Sequence, residues 1–62
     1  MLTVLIPAYN EADRIAETLD GVMTALVGAG VEGAQVLVID DGSSDDTAAV
    51  AASRPGVEVF RL

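Results

Sequence analysis

Val36–Thr47 reads VLVIDDGSSDDT, four apolar residues running directly into two aspartates, a glycine, two serines and two more aspartates. Val36 to Ile39 has the length and unbroken apolar character of a strand buried on both faces, and such strands belong to parallel sheets. The acidic turn then marks the carboxyl end of that strand. Beyond it, Ser43 or Ser44 is suited to cap a helix through Asp45, Asp46, Ala48, Ala49, Val50, Ala51 and Ala52, which Pro55-Gly56 ends. Val57 to Leu62, VEVFRL, alternates well enough to form a third strand near an edge.

Working toward the N-terminus, Thr3 to Ile6 gives a β-branched run, TVLI, closed by Pro7 and read as a first strand covered on both faces. From Asn10 the apolar residues Ala12, Ile15, Ala16, Leu19, Val22, Met23 and Leu26 recur at three- and four-residue steps, the period of an amphipathic helix. Asn10 is placed to cap it, and Glu11 and Asp13 in the first turn complement the positive end of its dipole. The order strand, helix, strand, helix, strand needs two long crossovers and therefore a parallel sheet. The fold class expected is α/β, a parallel β-α-β-α-β unit.

Gly28 to Gly33, GAGVEG, matches the dinucleotide fingerprint G-x-G-x-x-G in letters but not in context. That fingerprint works where a strand turns into a helix, so that the helix N-terminus faces a pyrophosphate. Here it follows a helix and precedes a strand, which makes it a helix stop.

Composition narrows the function classes. Sixty-two residues allow one domain at most, and without cysteine or histidine neither a disulfide framework nor a conventional zinc site can brace it. The absence of cysteine fits a reducing compartment. The formal net charge is −7, with Arg14, Arg54 and Arg61 as the basic residues, which argues against nucleic-acid partners and anionic membrane surfaces. No window reaches the roughly 18 apolar residues of a membrane span, and no basic leader precedes an apolar run. The expectation is a cytoplasmic protein.

In parallel α/β sheets, ligands bind beyond the carboxyl ends of the strands. Two polar clusters fall there: PAYNE, Pro7 to Glu11, after the first strand, and DDGSSDD after the second. PAYNE presents the chain's one tyrosine, a flat ring, beside Glu11, a carboxylate able to accept hydrogen bonds from two ribose hydroxyls; an ordinary strand-to-helix turn would look much the same. Asp40 and Asp41 repel each other as they leave a buried strand, a cost normally offset by a ligand, a cation or several N–H donors. Asp45 and Asp46 read as first-turn helix charges. A carboxylate at a base edge accepts from the ring N–H of uracil or guanine and not from adenine or cytosine, whose corresponding ring nitrogens are acceptors. The same aspartates could instead hold magnesium. No glycine-lysine phosphate loop is present in the segment.

Taken together, VLIPAYNEADRIAETL followed by VLVIDDGSSDDT resembles the N-terminal segment of a family 2 glycosyltransferase with the GT-A fold, a likeness that runs nearly the whole chain. The resemblance implies that residues 1–62 are the N-terminal, nucleotide-binding part of a Rossmann-like GT-A domain, truncated before its remainder. It implies that Pro7, Ala8 and Tyr9 help form a nucleobase wall, that Glu11 contacts the nucleoside, and that Asp41 reads the base edge with Asp40 beside it. The donor would be a UDP- or GDP-sugar, and the reaction an inverting transfer to an acceptor hydroxyl or phosphate. Mg²⁺ or Mn²⁺ is expected in such enzymes on a later D-x-D-type motif, and a still later acidic residue as base, so no catalytic or metal residue is assigned in this chain. PAYNE with DDGS is similar to the polyprenyl-phosphate sugar transferases and glucosyl-phosphoglycerate synthases of that family, some of which would work at the cytoplasmic face of a membrane. The competing expectations are a non-catalytic nucleotide-binding module and a purely structural α/β piece. An exposed sheet edge would invite self-association.

Overall fold

A computed structural model of the chain describes residues 2–62. The elements run β1 (Thr3–Ala8), α1 (Ile15–Gly28), β2 (Gln35–Asp40), α2 (Thr47–Ala52) and β3 (Val57–Arg61), and the three strands form one parallel sheet in the order β1-β2-β3. This is the β-α-β-α-β arrangement that the apolar runs and their spacing predict. The register aligns Ala8 with Asp40 and Asp40 with Arg61, so these three residues form a row across the carboxyl ends of the strands.

β1 is two residues longer than its apolar run, because Pro7 does not interrupt the ladder. The carbonyls of Leu2 and Ala8 accept from the amides of Gln35 and Asp41, at 2.8 and 2.9 Å. Even-numbered positions of β1 therefore bond toward β2, and odd ones, Pro7 included, face the sheet's free edge, where a missing N–H costs no ladder bond.

α1 begins later than its periodicity predicts. Residues 12–14 form a turn in which the Glu11 carbonyl accepts from both Arg14 and Ile15, at 2.9 and 2.7 Å, and Asn10 does not cap the helix. The helix ends where GAGVEG predicts. Gly30 takes a left-handed φ of 73°, the Gly30 amide donates to the Val27 carbonyl, and the Val31 amide donates to the Leu26 carbonyl. That pair of bonds is a Schellman stop, which explains why a glycine-rich stretch follows this helix.

The core gathers Ile15 and Leu19 of α1 and Ala51 of α2 with Ala8, Val36 and Val38 of the sheet, all at most 3% exposed. Alternation along the strands sends Leu5, Leu37, Ile39 and Phe60 to the opposite face. Leu5 and Phe60 are exposed there. The expectation that the strands are covered on both faces is thus met on one face among the described residues. No helix of the described residues is long and apolar enough to cross a membrane.

Candidate functional site

The turn after β1 and the turn after β2 meet at the row Ala8, Asp40 and Arg61. Pro7, Ala8, Tyr9, Glu11 and Asp41 line an open cleft of about 210 Å³ at this rim. These are five of the six residues singled out in the sequence; Asp40, the sixth, is fully buried beneath the turn. Ligand pockets commonly span about 300–1,000 Å³, so this cleft suits one portion of a ligand, such as a ring or a pentose. Tyr9 is 59% exposed and offers an open ring face. Asp41 is also exposed, but its amide donates to the Ala8 carbonyl at 2.9 Å, which fixes the root of its side chain beside Ala8.

The two turns are laced by polar contacts between residues more than thirty positions apart. The Asn10 amide donates to Ser43 Oγ at 2.8 Å, and the Ser43 hydroxyl in turn donates to Asp40 Oδ1. The Glu11 amide donates to Thr47 Oγ1 at 2.8 Å, and the Thr47 hydroxyl donates to Asp45 Oδ1. Each relay carries an amide of the first turn through a buried hydroxyl to a carboxylate of the second, leaving neither Ser43 nor Thr47 an unmet hydroxyl. Asp45 Oδ2 adds the Ala12 amide at 3.2 Å, and Asn10 Oδ1 accepts from the Ser44 amide at 2.9 Å.

Asn10 can serve this way because it adopts a left-handed φ of 50°, a conformation asparagine tolerates better than most residues. Its side chain therefore ties loop to loop instead of capping α1. Asp45, expected as a first-turn helix charge, lies before α2, whose first turn holds no acidic residue. The hydrogen bond Asp45 accepts from the Thr47 hydroxyl is the chief cause holding its carboxyl below the ordinary aspartate value; burial opposes it, and the amides of Thr47, Ala12 and Asp45 itself add smaller lowering effects. Thr47 and Arg61 carry contacts that no local pattern signals, because their partners lie at distant points of the chain.

Asp40 carries the least expected arrangement. Its Oδ1 accepts from the amide of Ser43 at 3.1 Å and from the Ser43 hydroxyl. Its Oδ2 accepts no hydrogen bond and faces Arg61 Nε at 3.5 Å. Glu11 Oε1 accepts from the Tyr9 amide at 3.3 Å. Among the described residues, no three His, Cys, Asp or Glu side chains converge as a metal-holding group. The chemistry offered by the cleft residues themselves is stacking and hydrogen-bond acceptance.

Comparison with known proteins places this geometry in context. The sequence model of glycosyl transferase family 2 matches residues 3–62. The chain is 39% identical over 64 residues to an undecaprenyl-phosphate 4-deoxy-4-formamido-L-arabinose transferase of Edwardsiella ictaluri, covering 98% of this chain and 19% of that protein. A Klebsiella pneumoniae protein of the same name is 47% identical over 47 residues, covering 76% of this chain and 14% of its own length. An uncharacterized protein, MT1568, of Mycobacterium tuberculosis is 40% identical over 63 residues, covering 98% and 18%. The chain thus spans less than a fifth of the length of these relatives. No solved structure matches it.

Proposed function

The chain belongs to glycosyl transferase family 2, and on that premise we propose that the cleft between its two acidic turns holds the nucleoside of a UDP- or GDP-sugar donor. The observation that carries the reading is the convergence of Pro7, Ala8, Tyr9, Glu11 and Asp41 on one opening at the carboxyl edge of a parallel sheet. In it the Tyr9 ring and the flat Pro7-Ala8 wall offer apolar surface to a base. The Asp41 carboxylate accepts from a ring N–H of uracil or guanine, and Glu11 accepts from ribose hydroxyls. Asp40 contributes from beneath, by fixing the turn that carries Asp41.

The whole protein then transfers the sugar with inversion: the bond from the anomeric carbon to the diphosphate oxygen breaks as an acceptor oxygen bonds that carbon from the opposite face. The diphosphate leaves with the bonding electrons, and any acceptor proton passes to a base. A divalent cation, Mg²⁺ or Mn²⁺, would supply charge neutralisation at the departing diphosphate. The part proposed for the cleft residues is to bind and orient the nucleoside. The names of the relatives from Edwardsiella and Klebsiella point to a polyprenyl phosphate as acceptor class, which would bring the whole protein to a cytoplasmic membrane face.

Transfer of labelled sugar from UDP- and GDP-sugars to a polyprenyl phosphate, by the whole protein and its Glu11→Ala and Asp41→Ala variants, tests this. The reading expects transfer from at least one donor and its loss in the variants. Nucleotide binding with no transfer to any acceptor would favour a binding module instead.

A further inference from the structure

Arg61 closes β3, and the parallel register sets it directly beside Asp40, the last residue of β2. Asp40 is fully buried, and one of its carboxylate oxygens accepts no hydrogen bond. A buried carboxylate left without a counter-charge is among the more destabilising features a fold can contain. Arg61 Nε stands 3.5 Å from that oxygen, and Arg61 Nη2 donates to the Ser43 carbonyl at 3.2 Å. The guanidinium thus grips the turn Asp40–Ser43 at both ends. The Leu62 amide adds a bond to the Asp40 carbonyl at 2.9 Å, while on the other side the Asp41 amide is held by Ala8.

We infer that Arg61 is a positioning residue of the cleft: by neutralising buried Asp40 and holding the Ser43 carbonyl, it fixes the turn that presents Asp41. The inference rests on the nucleoside-binding reading for its functional consequence, and on the contacts alone for its structural one. The polar contacts of the Arg61 side chain go to Asp40 and the Ser43 carbonyl and not to the cleft's lining, so its action passes through Asp40 and Ser43. Arg54, the other arginine with an ion-pair partner among the described residues, is partly buried, meets Asp20 at 3.1 Å and provides a control for loss of one positive charge.

The test titrates the full chain and its Arg61→Met, Arg61→Lys and Arg54→Met variants with UDP and GDP, and records the amide resonances of Asp41, Gly42 and Ser43. Arg61→Met is expected to weaken nucleotide binding about fivefold or more and to move those resonances. Arg61→Lys should restore much of both, and Arg54→Met should change neither. Binding by Arg61→Met within about twofold of the wild type, with the resonances in place, overturns the inference; so does equal damage from Arg54→Met. If the wild-type chain binds neither nucleotide, the functional reading fails separately, and the resonances alone decide for or against Arg61. If Arg61→Met does not fold, the Asp40→Asn/Arg61→Met double variant decides. A double variant more stable than Arg61→Met supports the pairing, and one no more stable overturns it.

Discussion

The amide of Asn10 donates to the hydroxyl of Ser43 across 2.8 Å, joining two turns 33 residues apart. Both turns therefore form one rigid rim, and the Asn10 side chain adds a second tie through the Ser44 amide. Replacing Asn10 with alanine removes that tie and leaves a Cβ-bearing residue at φ 50°. A loss of about 1–3 kcal/mol is expected, a large share of the roughly 3–9 kcal/mol available to a chain of this size. Asn10→Gly loses the tie but relaxes the backbone, so its urea midpoint should lie between those of alanine and wild type. Equal midpoints for both variants would show that the left-handed conformation is not retained in solution.

Asp45 gives a pH-dependent contribution. Its carboxyl is held below the ordinary aspartate value of 3.8, chiefly by the Thr47 hydroxyl. A depressed folded value means that the stabilisation is complete above the unfolded value and is lost as pH falls through the folded one. The stability gap between wild type and Asp45→Asn should hold steady at neutral pH and narrow below about pH 4. Thermal unfolding of both proteins between neutral and strongly acidic pH measures it. A gap that stays constant to the lowest pH would remove Asp45 from this role.

Gly42 turns the chain between Asp41 and Ser43 at φ 76°, and a Cβ placed there meets no atom within 4 Å. Gly42→Ala is accordingly a test of backbone strain without steric clash. Its expected cost is about 1–2 kcal/mol in unfolding free energy. A variant as stable as the wild type would mean that the turn rearranges, and the Asp41 amide would then lose its bond to Ala8.

The open sheet face bears Leu5 and Phe60, and β1 has an unpaired edge among the described residues. Apolar faces and free edges of this kind favour association of the isolated chain. Sedimentation should show concentration-dependent association that Leu5→Lys reduces. A monomeric wild-type chain at high concentration would contradict the expectation.

The sheet, its parallel sense and the order of elements are legible in the apolar runs at Thr3, Val36 and Val57, since runs of that length and spacing leave few alternatives. The ends of the elements are less so. Pro7 continues β1 because its missing N–H falls on an unpaired edge, and Asn10 leaves α1 uncapped because its side-chain oxygen accepts from Ser44, facts of tertiary placement. The five cleft residues share two short motifs, so they could be found by position alone. Thr47 and Arg61 could not: Thr47 falls within the stretch read as the second helix and Arg61 within the third strand, and only the folded chain sets them against Glu11 and Asp40.

Base selectivity tests the central claim most directly. Calorimetric titration of the wild-type chain and its Asp41→Ala variant with UDP, GDP, CDP and ADP should show binding of UDP or GDP by the wild type. CDP and ADP should bind more weakly, by about tenfold or more, and Asp41→Ala should erase the difference. Equal affinity for all four nucleotides, or no binding of any, would contradict the account.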